Sequence, residues 1–220
     1  MSERLVIAID GPSGTGKSSV ARGIAQQLGL DYLDTGAMYR SLTWLALSQG
    51  IDVQDAASVG KVIPDSRLSV STDPERQEFH VGDVDVTQAI RGPEVTEAVS
   101  VVAAIPEVRH FLVSMQQDIA RRAVTGIVLE GRDIGNVVLP QADLKIYLTA
   151  DESARAARRA GQVSDSIDQT RASLLARDLM DSTRAVSPLE VAPDALVVDT
   201  TSMTLNEVVE HIVALASERT

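Results

Sequence analysis

Residues 4–18 read RLVIAIDGPSGTGKS, and this stretch decides the fold. The nearly continuous apolar run over 4–9 ends at Asp10, and Gly11-Pro12-Ser13-Gly14-Thr15-Gly16-Lys17-Ser18 follows directly. An apolar run without alternation suits a strand buried on both faces of a parallel sheet. The glycine-rich run satisfies G-x-x-x-x-G-K-[ST], a loop whose backbone N–H groups turn inward around phosphate oxygens while the next helix adds its positive end. Lys17 is expected as an exposed loop residue reaching the outer phosphates of a nucleoside triphosphate, with the Ser18 hydroxyl on Mg²⁺ and Ser19 beside it. A glycine-rich turn without a ligand would share the spelling, but it would not need a strand before it and a helix after it.

Outward from the loop, Val20, Ile24, Ala25 and Leu28 recur at helical spacing and stop at Gly29, a good C-terminal cap. A short strand at 32–33 precedes Asp34-Thr35-Gly36 and a helical stretch over 37–49. Short apolar runs at 126–130, 143–149 and 195–199 predict further core strands. Helices are predicted over 107–124, 151–160, 168–183 and 204–218, the last opened by a capping box at Thr204 and Glu207. This alternation predicts an α/β fold with a parallel sheet flanked by helices on both faces. The interval 56–100 breaks the rhythm. Its segments 67–71 and 77–81 alternate like a hairpin around Thr72-Asp73-Pro74-Glu75 and predict an inserted subdomain. The 220 residues therefore read as a single domain, with a core over about 1–55 and 101–220.

Net charge excludes several functions. With 20 Lys and Arg against 31 Asp and Glu, the chain carries −11, which opposes general binding to nucleic acid. No long apolar run and no signal-like leader is present, so a cytoplasmic protein without a membrane segment is expected. Cysteine is absent, excluding disulfides, thiolate zinc sites and a cysteine nucleophile. His80, His110 and His211 lie far apart and lack metal-ligand spacing. Lys17, Lys61 and Lys145 are the only lysines, and arginine, which dominates the basic residues, suits forked recognition of phosphate. The guanine-nucleotide motifs N-K-x-D and D-x-x-G are missing, as is L-S-G-G-Q. A small kinase or a nucleotide-dependent binding module remains.

Five further strings accompany the loop: 34–40 (DTGAMYR), 85–91 (DVTQAIR), 100–109 (SVVAAIPEVR), 131–135 (GRDIG) and 177–189 (RDLMDSTRAVSPL). In this order they resemble the bacterial cytidylate kinase family over nearly the whole chain, insert included. The resemblance implies a P-loop kinase fold in which the insert, about 56–100, enlarges the nucleoside-monophosphate site and about 155–178 forms a short lid. It implies transfer of a phosphoryl group from ATP, with Mg²⁺, to CMP or dCMP, and a monomeric enzyme is expected. It further implies that Arg40, Arg132 and Arg184 hold the acceptor phosphate, that Thr35, Ser100, Arg109 and Asp133 surround the cytosine, and that Arg177 and Asp181 face the ribose. Arg155, Arg158 and Arg159 fall in the lid segment and join Lys17, Arg132 and Arg184 as candidate catalytic cations, an exposed basic face being the alternative.

Helix periodicity supports part of this independently. Arg177, Asp181 and Arg184 fall within about 60° of one helix face, where they suit either a shared ligand or a solvated ion pair. Arg132 and Asp133 follow a buried strand at the carboxyl end, where such sheets place ligands, though a loop salt bridge would also sit there. Cytosine offers an amino donor at N4 and an acceptor at N3, matching the Asp133 carboxylate and the Arg109 guanidinium. Uracil reverses both. A kinase for UMP or another small acceptor, and an ATP-dependent binding protein, are the competing readings.

Overall fold

Strand β1 (Leu5–Asp10) is buried at every residue because it occupies the centre of a five-stranded parallel sheet ordered β2-β6-β1-β7-β8. Its partners are β6 (Gly126–Glu130) and β7 (Leu144–Thr149), flanked by β2 (Asp31–Asp34) and β8 (Leu196–Asp199). The computed structural model describes residues 4–160 and 167–219. The helices are α1 (Lys17–Leu28), α2 (Thr35–Ser48), α3 (Ala56–Val62), α4 (Pro93–Val102), α5 (Pro106–Arg122), α6 (Glu152–Ala160), α7 (Ile167–Thr183) and α8 (Leu205–Ser217). The sequence-expected lid, about 155–178, includes 161–166, which lie outside the described residues.

Side chains alternate across the sheet and build two cores. Leu5, Ile7 and Ile9 join Ile24, Val208 and Ile212 on the face covered by α1 and α8. Val6 and Ala8 join Leu33, Leu42, Leu112 and Leu129 on the other face. The insert adds to this second core. The predicted hairpin forms as antiparallel β3 (Leu68–Val70) and β4 (Phe79–Val81), extended by β5 (Val84–Asp85), and Phe79, Val86 and Ile90 are fully buried with α2. Pattern reading missed α3 and α4 because each is short and lies inside the broken rhythm. α4 and α5 both open on proline, which is tolerated where the helix has no use for an N–H. α8 carries the predicted capping box.

Strand register brings the chemistry together. Glu130 is the register partner of Asp34 and of Ile9, so Asp34, Glu130 and Asp10 cluster at the carboxyl ends of three adjacent strands. No single helix among the described residues is long and apolar enough to cross a membrane.

Candidate functional site

At one end of a cleft of about 240 Å³ lies the glycine-rich loop. Gly11 has φ 145°, and a Cβ there would run into the Leu148 carbonyl oxygen on β7. Only glycine lets the chain leave β1 so close to its neighbour. Thr15 is buried behind the loop and its hydroxyl donates to Pro12 O at 3.0 Å. Lys17 differs from expectation: it begins α1, is only 6% exposed, and its Nζ donates to Pro12 O at 2.7 Å. The loop wraps the side chain and supplies a backbone acceptor, which satisfies the ammonium with a neutral group. Burial, reinforced by nearby Arg132, pushes the Lys17 pKa well down, while burial and neighbouring Asp34 push Glu130 up. Ser18 Oγ donates to Glu130 Oε1 at 2.5 Å, and the Tyr32 hydroxyl donates to the same oxygen at 3.3 Å.

The other end is built from side chains drawn from distant segments. Asp133, 5% exposed, accepts from Arg109 Nη2 at 2.5 Å and Arg184 Nη2 at 3.3 Å, and the Arg109 guanidinium lies 5.5 Å from the Tyr39 ring centre. Asp133 leads into a π-helical turn, Ile134–Val138, whose Ile134 and Gly135 N–H groups both donate to Asp10 at 2.8 Å. Burial pushes the Asp10 carboxyl up to about 6 against those two hydrogen bonds. Arg132 spreads its guanidinium over Asp181 Oδ2 (2.8 Å), Gly11 O (2.9 Å) and Ser13 Oγ (2.7 Å). Burial, the largest single influence, lowers its pKa, but Asp181, Asp178 and Glu130 together outweigh it and raise the guanidinium above its ordinary value. Thr35 Oγ1 donates to Glu130 O at 2.7 Å, and Arg40 Nη1 donates to Ile90 O and Thr96 Oγ1.

Charge distinguishes this cleft from the rest of the surface. Among the described residues, its walls carry eight Lys and Arg side chains against four carboxylates, in a chain whose net charge is −11. Burial first, and Arg177 next, lower Arg40 to about 10; burial first, and Arg132 next, lower Arg177 to about 10. Arg177 Nε is buried without a hydrogen-bond partner. Mutually repelling, partly desolvated guanidinium groups form a site for a multiply charged anion.

Of the residues singled out from sequence, Ser13, Gly14, Gly16, Lys17, Ser18 and Ser19 line the loop end. Thr35, Arg40, Ser100, Arg132, Asp133, Arg158, Arg159, Arg177, Asp181 and Arg184 line the remainder. Gly11, Pro12 and Thr15 are outside the lining and shape the loop from behind. Arg109 is also outside it, 3% exposed behind Asp133. Arg155 does not share the cleft with Arg158 and Arg159; it is buried against Ser13 O (3.0 Å) and Asp178. Arg184 lies one residue beyond the end of α7, so its convergence with Arg177 and Asp181 comes from the following turn, where Nε donates to Ser187 O at 2.6 Å. The i, i+4 ion pair that the helix face allowed is absent from the described contacts, since Asp181 pairs with Arg132 instead. Sequence reading missed Asp10, Asp34 and Glu130. Their signal was available: each acid closes an apolar strand at the end where ligands bind.

Comparison with known proteins agrees with this geometry. The family model described as cytidylate kinase matches residues 7–218. A cytidylate kinase from Streptomyces avermitilis is 49% identical over 216 residues, covering 98% of this chain and 94% of its own. A cytidylate kinase from Nocardia farcinica is 50% identical over 220 residues, again covering 98% and 94%. Among solved structures, an uncharacterized protein from Eubacterium ventriosum superposes with TM-score 0.55 at 8% identity, covering 98% of this chain and 99% of that one, a likeness of fold.

Proposed function

The chain belongs to the cytidylate kinase family, and we propose that it transfers the γ-phosphoryl group of ATP to CMP or dCMP, giving ADP and the corresponding diphosphate. The observation that carries this is one cleft joining a complete phosphate loop to an arginine-rich pocket with the Asp133–Arg109 pair at its base. Loop N–H groups and Lys17 hold the donor phosphates, while Arg40, Arg132 and Arg184 bring up the acceptor phosphate and Arg177 and Asp181 face its ribose. Two anions are thereby held in line, and catalysis is mainly positioning and charge stabilisation. The Ser18 hydroxyl with the Glu130 and Asp34 carboxylates forms an all-oxygen set that fits Mg²⁺. When bound with the donor phosphates, that ion supplies further neutralisation of their charge. Arg158 and Arg159 face the same space and add positive charge there.

The insert, about 56–100, covers the acceptor end, a role supported by Arg91, Val99 and Ser100 in the cleft wall. The lid expected from sequence, about 155–178, of which 161–166 lie outside the described residues, would close with the insert over both nucleotides before transfer. The enzyme acts as a cytoplasmic monomer on small molecules, and the net charge of −11 disfavours nucleic acid and acidic membrane surfaces as partners. Coupled ADP release over a panel of CMP, dCMP, UMP, AMP, dTMP and shikimate tests the assignment. CMP and dCMP should exceed UMP in kcat/KM by at least roughly a hundredfold, because uracil sets its O4 acceptor against the Asp133 carboxylate. Equal use of UMP removes the base-reading role of Asp133, and with it that of Arg109, which can reach the base only through Asp133.

A further inference from the structure

Asp178 stands apart from the site residues around it. It sits on α7 between Arg177 and Asp181, both of which line the cleft, yet Asp178 does not. Its side chain points at the phosphate loop: Oδ1 accepts from the Ser13 N–H at 2.8 Å, and Oδ2 pairs with Arg155. Arg155 in turn donates to Ser13 O at 3.0 Å, and Arg132 donates to Ser13 Oγ at 2.7 Å. All three polar groups of one loop residue are therefore held by α6, α7 and the turn after β6. The approach is close, since Gly14 has φ 78° and a Cβ there would crowd the Arg155 backbone oxygen at 3.1 Å and Leu174 at 3.3 Å.

We propose that Asp178 is a positioning residue that couples the two nucleotide sites, transmitting the conformation of the donor loop to the helix that presents Arg177 and Asp181 to the acceptor. This rests on the reading of the cleft as a donor site joined to an acceptor site. The physical basis is a shared ordering cost. A triphosphate that fixes the loop also fixes α7 through Ser13 and Asp178, so the monophosphate meets Arg177 and Asp181 already in place. The second ligand then does not meet that cost again, which is positive coupling between sites without direct contact. Reciprocity requires the monophosphate to strengthen triphosphate binding by the same factor.

The test is calorimetric titration of a non-hydrolysable ATP analogue with and without saturating CMP, on the wild type, Asp178→Ala and Asp178→Asn. Wild type should show mutual tightening of about fivefold or more, the lower end of ordinary coupling. Asp178→Ala should bring that factor to about one while each nucleotide alone binds within roughly threefold of wild type. Asn keeps an acceptor for the Ser13 N–H but loses the charge facing Arg155, so Asp178→Asn should fall between; it also serves if the alanine variant fails to fold. A wild-type factor near one overturns the proposal. So does a variant that binds both nucleotides more weakly yet keeps the full factor, the signature of a structural brace. Failure of the underlying reading is distinct: wild type would then bind neither nucleotide.

Discussion

The two ends of the cleft are built by different means. At the donor end, a contiguous run of residues makes the site from backbone, and even its buried cation, Lys17, is satisfied by the carbonyl of Pro12. At the acceptor end, Arg109 from α5, Asp133 from the turn after β6, and Asp181 and Arg184 from α7 and just beyond meet as paired charges. A backbone site tolerates any side chain that leaves its geometry intact. A site of paired charges cannot lose one member without stranding the other in a poorly solvated place. The donor end should therefore fail in turnover while the fold survives, and the acceptor end should fail in selectivity and stability together.

The largest effect is expected at Lys17. Lys17→Ala removes charge stabilisation of about 3 to 4 kcal/mol from the transition state, a loss on the order of a hundredfold or more in kcat. Burial already disfavours the ammonium, so melting should change little. Single-turnover rates beside thermal melts check both halves, and near-normal kcat would end the comparison.

Next comes Asp133, where the two functions of a paired charge separate. Asp133→Asn preserves shape but leaves Arg109 and Arg184 facing each other without a carboxylate between them, so the melting temperature should drop. Its amide can donate to the O4 of uracil, and the CMP-to-UMP ratio of kcat/KM should narrow by about a hundredfold. If both bases lose activity in proportion, Asp133 only braces the pocket.

This contrast also explains what could be read in advance. The loop is local, so spelling and periodicity placed β1, the glycine run and α1 correctly. Side-chain partnerships are not local. Arg155 and Arg158 lie on one short helix, but one is enclosed behind Ser13 while the other binds Thr200 at the cleft edge, a distinction set by tertiary packing alone. Asp178 had no pattern to announce it, because its partners lie 23 and 165 residues away. Lys17 reads as an exposed loop residue aimed at phosphate, but enclosure by the loop leaves it buried, against the usual habit of lysine. The 177–189 string puts Arg184 beside Arg177 and Asp181, and the structure brings all three to one cleft although α7 ends at Thr183.

A smaller effect is expected at Asp181, which faces the cleft and also steadies Arg132. Asp181→Ala should weaken CMP binding about tenfold, within the usual cost of one charged hydrogen bond. ATP binding should change far less, because Arg132 keeps Gly11 O and Ser13 Oγ. Separate titrations of each nucleotide distinguish this from a structural ion pair, which would affect both or neither.

The smallest effect is expected where the two ends are joined. Asp10 closes β1 immediately before the phosphate loop, and its carboxylate holds the Ile134 and Gly135 N–H groups that start the turn carrying Asp133. Asp10→Asn can satisfy only one of those donors, at a cost of about 1 kcal/mol near neutral pH, the low end for a stranded donor because the burial cost of an ionised carboxylate is removed with it. The sign of the pH dependence follows from the carboxyl being raised from 3.8 to about 6 in the fold. Between those values, the native state holds a proton that the unfolded chain has lost, so wild-type stability falls as pH rises through that window. Asparagine carries no such proton. The stability gap between wild type and Asp10→Asn should therefore widen as pH is lowered from about 7 toward about 5, a change that urea melts at several pH values would resolve. A gap that narrows on acidification would mean that the two N–H groups overcome burial and keep Asp10 ionised. In that event the bridge between the ends would be a charged one, and its loss should reduce activity toward CMP and UMP alike.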